Sequence, residues 1–279
     1  MDARTQLGDL VNGCALCRHQ FDDNVALIVD GDDAALNDAQ VVAVLDHLRK
    51  QHEGHTRMTF SKVSVLIPTR NRTHLLRALI DSYRRTTTDT HSSELLFRVD
   101  NDDEQTRAVL QAEGFRMLVG PRLNGYASLP LFFNELAFVA NGDVLMLGND
   151  DIVFVTPGWA QLILEVANCY PDGVFNIGVR THNEAHFPLS LVSSAVVKRL
   201  GFIYDPRIFW GDIYLRDVMG RLQRQHLLPD VEIRHDWAGH APDQTFIEGE
   251  GARRAPGNHM QYHEQAVSEA VEKLRGMLA

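Results

Sequence analysis

Between Gly142 and Phe154 the chain reads Gly-Asp-Val-Leu-Met-Leu-Gly-Asn-Asp-Asp-Ile-Val-Phe. The apolar run Val144 to Leu147 has the length of a buried strand and stops at a glycine. Asn149, Asp150 and Asp151 follow in a polar turn. The same design occurs twice upstream: Val63 to Ile67 ends in Pro-Thr-Arg-Asn-Arg, and Leu95 to Val99 ends in Asp-Asn-Asp-Asp. Apolar runs that alternate with helical patterns read as strands of a mainly parallel sheet with helices on both faces. In such a sheet the loops after the strands gather at one edge, where ligands bind. The expected fold class is α/β, with three charged or polar loops meeting at that edge.

The segments between these runs support the reading. Thr73 can cap a helix whose Leu75, Leu76, Leu79, Ile80 and Tyr83 follow the helical period. A helix from about Glu104 to Glu113 is ended by Gly114, and Phe115–Val119 is a short strand. Pro130 suits the first turn of a helix running to Ala140. Further on, the pattern predicts a helix over Gly158–Asn168 and a strand over Val174–Val179. Helices follow at Ser193–Leu200 and Asp212–Gln225, then a strand at Val231–Ile233 and a last helix over Gln261–Leu278.

The chain divides near Thr59. Residues 1–57 carry the acidic clusters Asp22-Asp23 and Asp32-Asp33 and an amphipathic helix that buries Val41, Val42, Val44, Leu45 and Leu48. They read as a small, partly helical N-terminal appendage to a main domain over 58–279. Cys14 and Cys17 have the spacing of half a zinc site, but no second cysteine pair follows, and free thiols are the expectation.

With 44% hydrophobic and 23% charged residues, the composition is that of an ordinary globular protein. The net charge of −10 and the lack of a basic stripe argue against nucleic acid as a partner. No apolar stretch reaches the roughly 20 residues of a membrane-spanning helix. The N-terminus lacks the apolar core of a signal peptide, and three cysteines make no disulfide framework, so a cytoplasmic setting is expected.

The chemistry lies in the acidic turn. Mg2+ or Mn2+ takes hard oxygen ligands and keeps water and substrate phosphates in its shell, so one or two protein carboxylates suffice. Adjacent carboxylates repel, and a cation relieves that repulsion. A plain polar turn would need no metal.

Three motifs together resemble a known family. Val63-Ser64-Val65-Leu66-Ile67-Pro68-Thr69-Arg70-Asn71-Arg72 resembles the opening strand and loop of family 2 glycosyltransferases. Arg98-Val99-Asp100-Asn101-Asp102-Asp103 is similar to that family's second nucleotide-contacting loop, and Asn149-Asp150-Asp151 stands where the family has its metal motif. The resemblance implies a GT-A fold, a nucleotide-sugar donor (a UDP-sugar above all) and Mn2+ or Mg2+ as cofactor. It implies a nucleotide-sugar-binding half over 58–155, an acceptor half over 156–260 and a C-terminal helix over 261–279.

Residue by residue, Pro68, Thr69 and Arg72 match the loop that flanks the nucleotide. Asp100 matches the carboxylate that accepts from the base. Asp151 matches the principal metal ligand, with Asp150 and Asn149 beside it on the donor. Arg122 and Asn124 could reach the diphosphate, and Asn134 lies in a stretch that touches the donor in the family. Asp212 resembles the acceptor-side base of an inverting reaction, where the family often has Glu-Asp and this chain has Gly211-Asp212; Asp217 is the fallback. His235 ends a strand where related enzymes supply a further metal ligand, with His240 second. Trp210 and Trp237 suit the apolar faces of an acceptor sugar. The acceptor could be a glycan, a lipid-linked sugar or a small molecule.

Two other readings stand beside this one. A nucleotidyltransferase would share the sheet and the acidic site but needs a Gly-rich loop after the first strand, which Pro68–Arg72 lacks. A non-catalytic sugar- or nucleotide-binding protein on the same fold is compatible with Asn149 and Gly211.

Overall fold

The computed structural model describes residues 58–123, 125–181, 187–208, 210–235, 247 and 259–278. The expected α/β architecture is present. One sheet has the strands β1 (Val63–Thr69), β2 (Ser93–Asp100), β3 (Arg116–Gly120), β4 (Val144–Leu147), β5 (Ile152–Phe154), β6 (Asn176–Arg180), β7 (Leu191–Ser193) and β8 (Gln225–His235). Its spatial order is β3-β2-β1-β4-β7-β6-β8-β5. The helices are α1 (Thr73–Thr86), α2 (Glu104–Ala112), α3 (Leu129–Val139), α4 (Trp159–Ala167), α5 (Ser194–Leu200), α6 (Gly211–Arg221) and α7 (His259–Arg275).

β1 pairs in parallel with β2 on one side and β4 on the other. It is buried along almost its whole length, as a central parallel strand must be. Its pairing with β4 ends at Leu66↔Leu147, so Pro68, which has no N–H to give, lies beyond that ladder. β7 runs antiparallel to both β4 and β6, and β8 runs parallel to β6. The carboxyl ends of β1, β2, β4 and β8 therefore share one edge of the sheet.

Alternation sorts the core. Leu66, Leu96, Leu145 and Leu147 face a cluster that includes Phe133 and Leu136 of α3, Val196 of α5, Leu215 and Val218 of α6, and Val267 and Leu274 of α7. Phe97 points the other way, edge-on to Phe115 at 5.7 Å, and Tyr83 of α1 meets both Phe115 and Phe154 edge-on. Trp159 lies against Phe154 at 4.7 Å and is fully buried.

The sheet and the helices around it, α4 as far as Leu164, belong to one compact unit, Phe60–Leu164 with Gly173–Leu278. The segment Glu165–Asp172 falls outside that unit, and the Met58 N–H donates to Pro171 O at 3.3 Å. The expected helix and the cysteine pair within residues 1–57 lie outside the described residues. No helix among the described residues is long and apolar enough to cross a membrane.

Most elements differ from the sequence reading by one to three residues at their ends, and three differences have a local cause. Thr73 is the first helical residue of α1 rather than its cap; Arg72 is the N-cap, its carbonyl accepting from Leu75 and Leu76. α6 ends at Arg221 because Gln223 adopts φ 56° and turns the chain into β8. β8 is longer than Val231–Ile233 because a register shift absorbs Pro229, Asp230 and Val231: Val179 pairs with Leu228, and the next residue, Arg180, with Glu232.

Candidate functional site

The site grows from the end of β4. Gly148 N–H donates to Leu66 O at 2.9 Å, and a Cβ on Gly148 would stand 2.7 Å from Val65 Cγ1. Only glycine lets the chain cross so close over β1. The next residues then turn into β5, whose antiparallel pairing with β8 sets Ile152 opposite His235.

Asp150 and Asp151 face different partners. Asp150 is buried; its Oδ2 accepts from the Thr69 hydroxyl at 2.9 Å and its Oδ1 from Arg72 Nη1 at 2.8 Å. Burial pushes its carboxyl up, and the Arg72 guanidinium pulls against that. Asp151 Oδ1 lies 3.2 Å from His235 Nε2, off the line of a hydrogen bond, and among the described residues no donor bonds this buried oxygen. Burial opposes ionisation of Asp151, but His235 and Arg72 outweigh it and hold the carboxyl below the usual range. Asn149 Nδ2 stands 3.2 Å from the same Nε2.

This geometry fits a cation. With the ring proton on Nδ1, the single lone pair of His235 Nε2 stands 3.2 Å from the Asp151 oxygen, two acceptors side by side, with the Asn149 amide next to them. Two lone pairs that close need a proton or a positive ion between them. No cluster of three or more His, Cys, Asp or Glu gathers among the described residues. The protein would therefore offer a carboxylate, an imidazole and an amide, and leave the rest of a Mg2+ or Mn2+ shell to phosphate and water.

The loop after β2 locks onto the loop after β1. Asp100 is buried and accepts from Arg98 on one oxygen and from Arg70 at 2.9 Å on the other. Arg70 also forks onto the exposed Asp102. Asp103 caps α2 by accepting from Thr106 N–H at 3.1 Å, and it accepts from Asn71 N–H at 2.7 Å. Asn71 has φ 54°, a left-handed conformation that asparagine tolerates. Arg98 is fully buried: it reaches Pro121 O at 2.6 Å and Glu135 at 3.3 Å and lies 4.0 Å over the Phe132 ring. Sequence reasoning passed over Arg70, Arg98 and Asp103. Their signal was present in the alternation of arginines and aspartates across the two loops, which suggests mutual pairing.

Asp212 is in the first turn of α6, where the helix dipole favours a carboxylate, and Trp210 is the half-buried N-cap. A Cβ on Gly211 would stand 2.6 Å from the Tyr204 ring, so that ring fills the place of any side chain there. Asp217 faces away toward α7: it accepts from His263 Nε2 at 2.8 Å and from Arg216. Asn134 clamps the loop before α6, with Oδ1 accepting from Ile203 and Tyr204 N–H and Nδ2 donating to Tyr204 O at 2.8 Å. Arg122 is exposed. Asn124, Trp237 and His240 lie outside the described residues. The structure thus brings together Thr69, Arg72, Asn149, Asp150, Asp151 and His235, with Asp100 joined to the same loop through Arg70.

Comparison with solved structures places this architecture. The mannosyltransferase PcManGT from Pyrobaculum calidifontis, solved with GDP-Man and Mn2+, superposes with a TM-score of 0.53 at 12% identity, over 85% of this chain and 81% of that one. TarS 1–349 from S. aureus, solved with UDP, gives 0.52 at 13% identity, over 77% of this chain and 72% of that one. The chain has their fold. In sequence it is 30% identical over 151 residues to the O-antigen biosynthesis protein RfbC of Myxococcus xanthus, which is 53% of this chain. The chain spans 11% of the length of that relative. No family model matches.

Proposed function

We propose that the chain transfers a sugar from a nucleoside-diphosphate sugar, foremost a UDP-sugar, to an acceptor hydroxyl. The observation that carries this reading is the meeting of Asn149, Asp151 and His235 beside the Thr69–Arg72 loop, at the edge where strands of this fold present ligands. A mannosyltransferase that binds GDP-Man and Mn2+ has the same fold.

Asp151 and His235, with the Asn149 amide, would hold Mn2+ or Mg2+; when bound, such an ion stabilises the negative charge that builds on the leaving diphosphate. Pro68 and Thr69 would flank the nucleotide, and Asp100, oriented by Arg98 and Arg70, would accept from the base. Asp212 would take the acceptor hydroxyl proton as that oxygen bonds the anomeric carbon and the sugar–phosphate bond breaks on the opposite face, which inverts that carbon. Asp217, held by His263 and Arg216, is the weaker choice for that role. Residues 58–279 would form the transferase and residues 1–57 an accessory segment.

Calorimetric titration of the full chain with UDP and GDP, each with and without Mn2+, tests the reading. Binding of a nucleoside diphosphate that strengthens with Mn2+ supports it. Absence of binding by any nucleoside diphosphate would favour a non-catalytic protein on the same fold.

A further inference from the structure

Asp150 is the most enclosed member of the acidic turn, with a side chain only 7% exposed. Both its oxygens are engaged by the β1–α1 loop, Oδ2 by Thr69 and Oδ1 by Arg72. Among the described residues, no donor bonds Oδ1 of its neighbour Asp151, which lies beside His235. Two adjacent carboxylates thus diverge, one toward the loop and the other toward the candidate cation position. The turn is pinned before them as well, by Gly148 N–H on Leu66 O. Arg72 is itself a fixed point, because its carbonyl caps the first turn of α1.

We propose that Thr69, Arg72 and Asp150 form a buried latch that fixes the metal turn and aims Asp151 at the cation. Asp150 is then a positioning residue rather than a ligand, and Arg72 acts through it rather than on the diphosphate. The inference rests on the proposed donor site. It also makes a prediction opposite to simple electrostatics. Arg72 lowers the local affinity for a cation by its charge, so a variant that merely loses that charge should bind Mn2+ more tightly. A variant that loses the latch should bind it less tightly, as happens when groups that orient metal ligands are removed.

Mn2+ is titrated calorimetrically into the wild type, Arg72→Gln, Arg72→Lys and Thr69→Val at saturating UDP, and UDP is titrated into each without Mn2+. The latch predicts about 10- to 100-fold weaker Mn2+ binding in Arg72→Gln. It predicts a smaller loss in Thr69→Val, partial recovery in Arg72→Lys, and metal-free UDP affinity unchanged in Arg72→Gln. Unchanged or tighter Mn2+ binding in Arg72→Gln overturns the latch, as does loss of metal-free UDP binding, which would assign Arg72 to the diphosphate. Should Arg72→Gln fail to fold, Thr69→Val, which removes one hydrogen bond and no charge, decides: unchanged Mn2+ affinity overturns the proposal. If the wild type binds no UDP with Mn2+, the donor-site reading itself falls and takes the latch with it. If only the variants fail to differ, the latch alone falls.

Discussion

His235 Nε2 stands 3.2 Å from Asp151 Oδ1 because β5 and β8 pair antiparallel with Ile152 opposite His235. Two residues far apart in sequence are thereby held by a backbone ladder, not by flexible loops. A strand-end histidine and a turn carboxylate fixed in this way can receive a cation with little reorganisation.

Asp151→Asn keeps the shape of the turn and removes its outward charge. Transfer and donor hydrolysis should both fall by about 10²–10³-fold, the scale of losing a charge-stabilising group at a reacting centre. His235→Ala should raise the Mn2+ concentration needed for half-maximal transfer by about tenfold or more. Steady-state rates across a Mn2+ series check both, and unchanged rates in Asp151→Asn would remove it from the site.

Asp212→Asn should keep donor binding and lose turnover by about 10²–10⁴-fold, the usual contribution of a positioned base. Asp217→Asn should stay within a few-fold of wild type, since that carboxylate is committed to His263 and Arg216. Calorimetry for the donor and single-turnover transfer separate binding from chemistry. The reverse ranking would move the base to Asp217.

The Asp217 tie between α6 and α7 has a defined pH dependence. Partial burial opposes ionisation, but His263 and Arg216 outweigh it and hold the carboxyl below its ordinary 3.8. The folded state therefore binds this proton less readily than the unfolded chain. The stabilisation is complete above the ordinary value and is lost as pH falls through the lower folded one. Asp217→Asn should cost about 1 kcal/mol or less near neutrality, given how exposed the pair is. Melting curves should show that gap closing in acid; a gap that persists there would contradict the pairing.

Gly211 and Tyr204 form a testable packing pair. Gly211→Ala puts a Cβ 2.6 Å from the Tyr204 ring and should destabilise by about 1–3 kcal/mol. The same change made in a Tyr204→Ala background should cost much less, so a double-mutant cycle by urea unfolding should show clear coupling. Additive costs would mean that the ring moves aside freely.

Much of the fold was legible in the chain. Val144–Leu147 is read as a strand with the bounds it has in the structure, and the helices after Val99 and before Asn141 fall within a residue or two. Their signals are local: apolar period, a glycine stop, a proline start. β7 was not legible, since Leu191–Ser193 is too short to show a period and is a strand only because β4 and β6 flank it. β8 was cut short by Pro229-Asp230, a breaker that the bulge accommodates.

Periodicity and connection length along the chain are enough for the α/β class, the three polar loops and their convergence at one edge, because strand direction and burial follow from them. What each charge does at that edge depends on contacts made through space. Asp150 and Asp151 are neighbours of the same chemical type, yet one is bound by Arg72 and Thr69 and the other faces His235. Asp100 is engaged by two arginines, and Asn134, which read as a donor contact, clamps the loop at Ile203 and Tyr204. Residue type sets which interactions a side chain can make, and the through-space pairing set by sheet register decides which of them it does make.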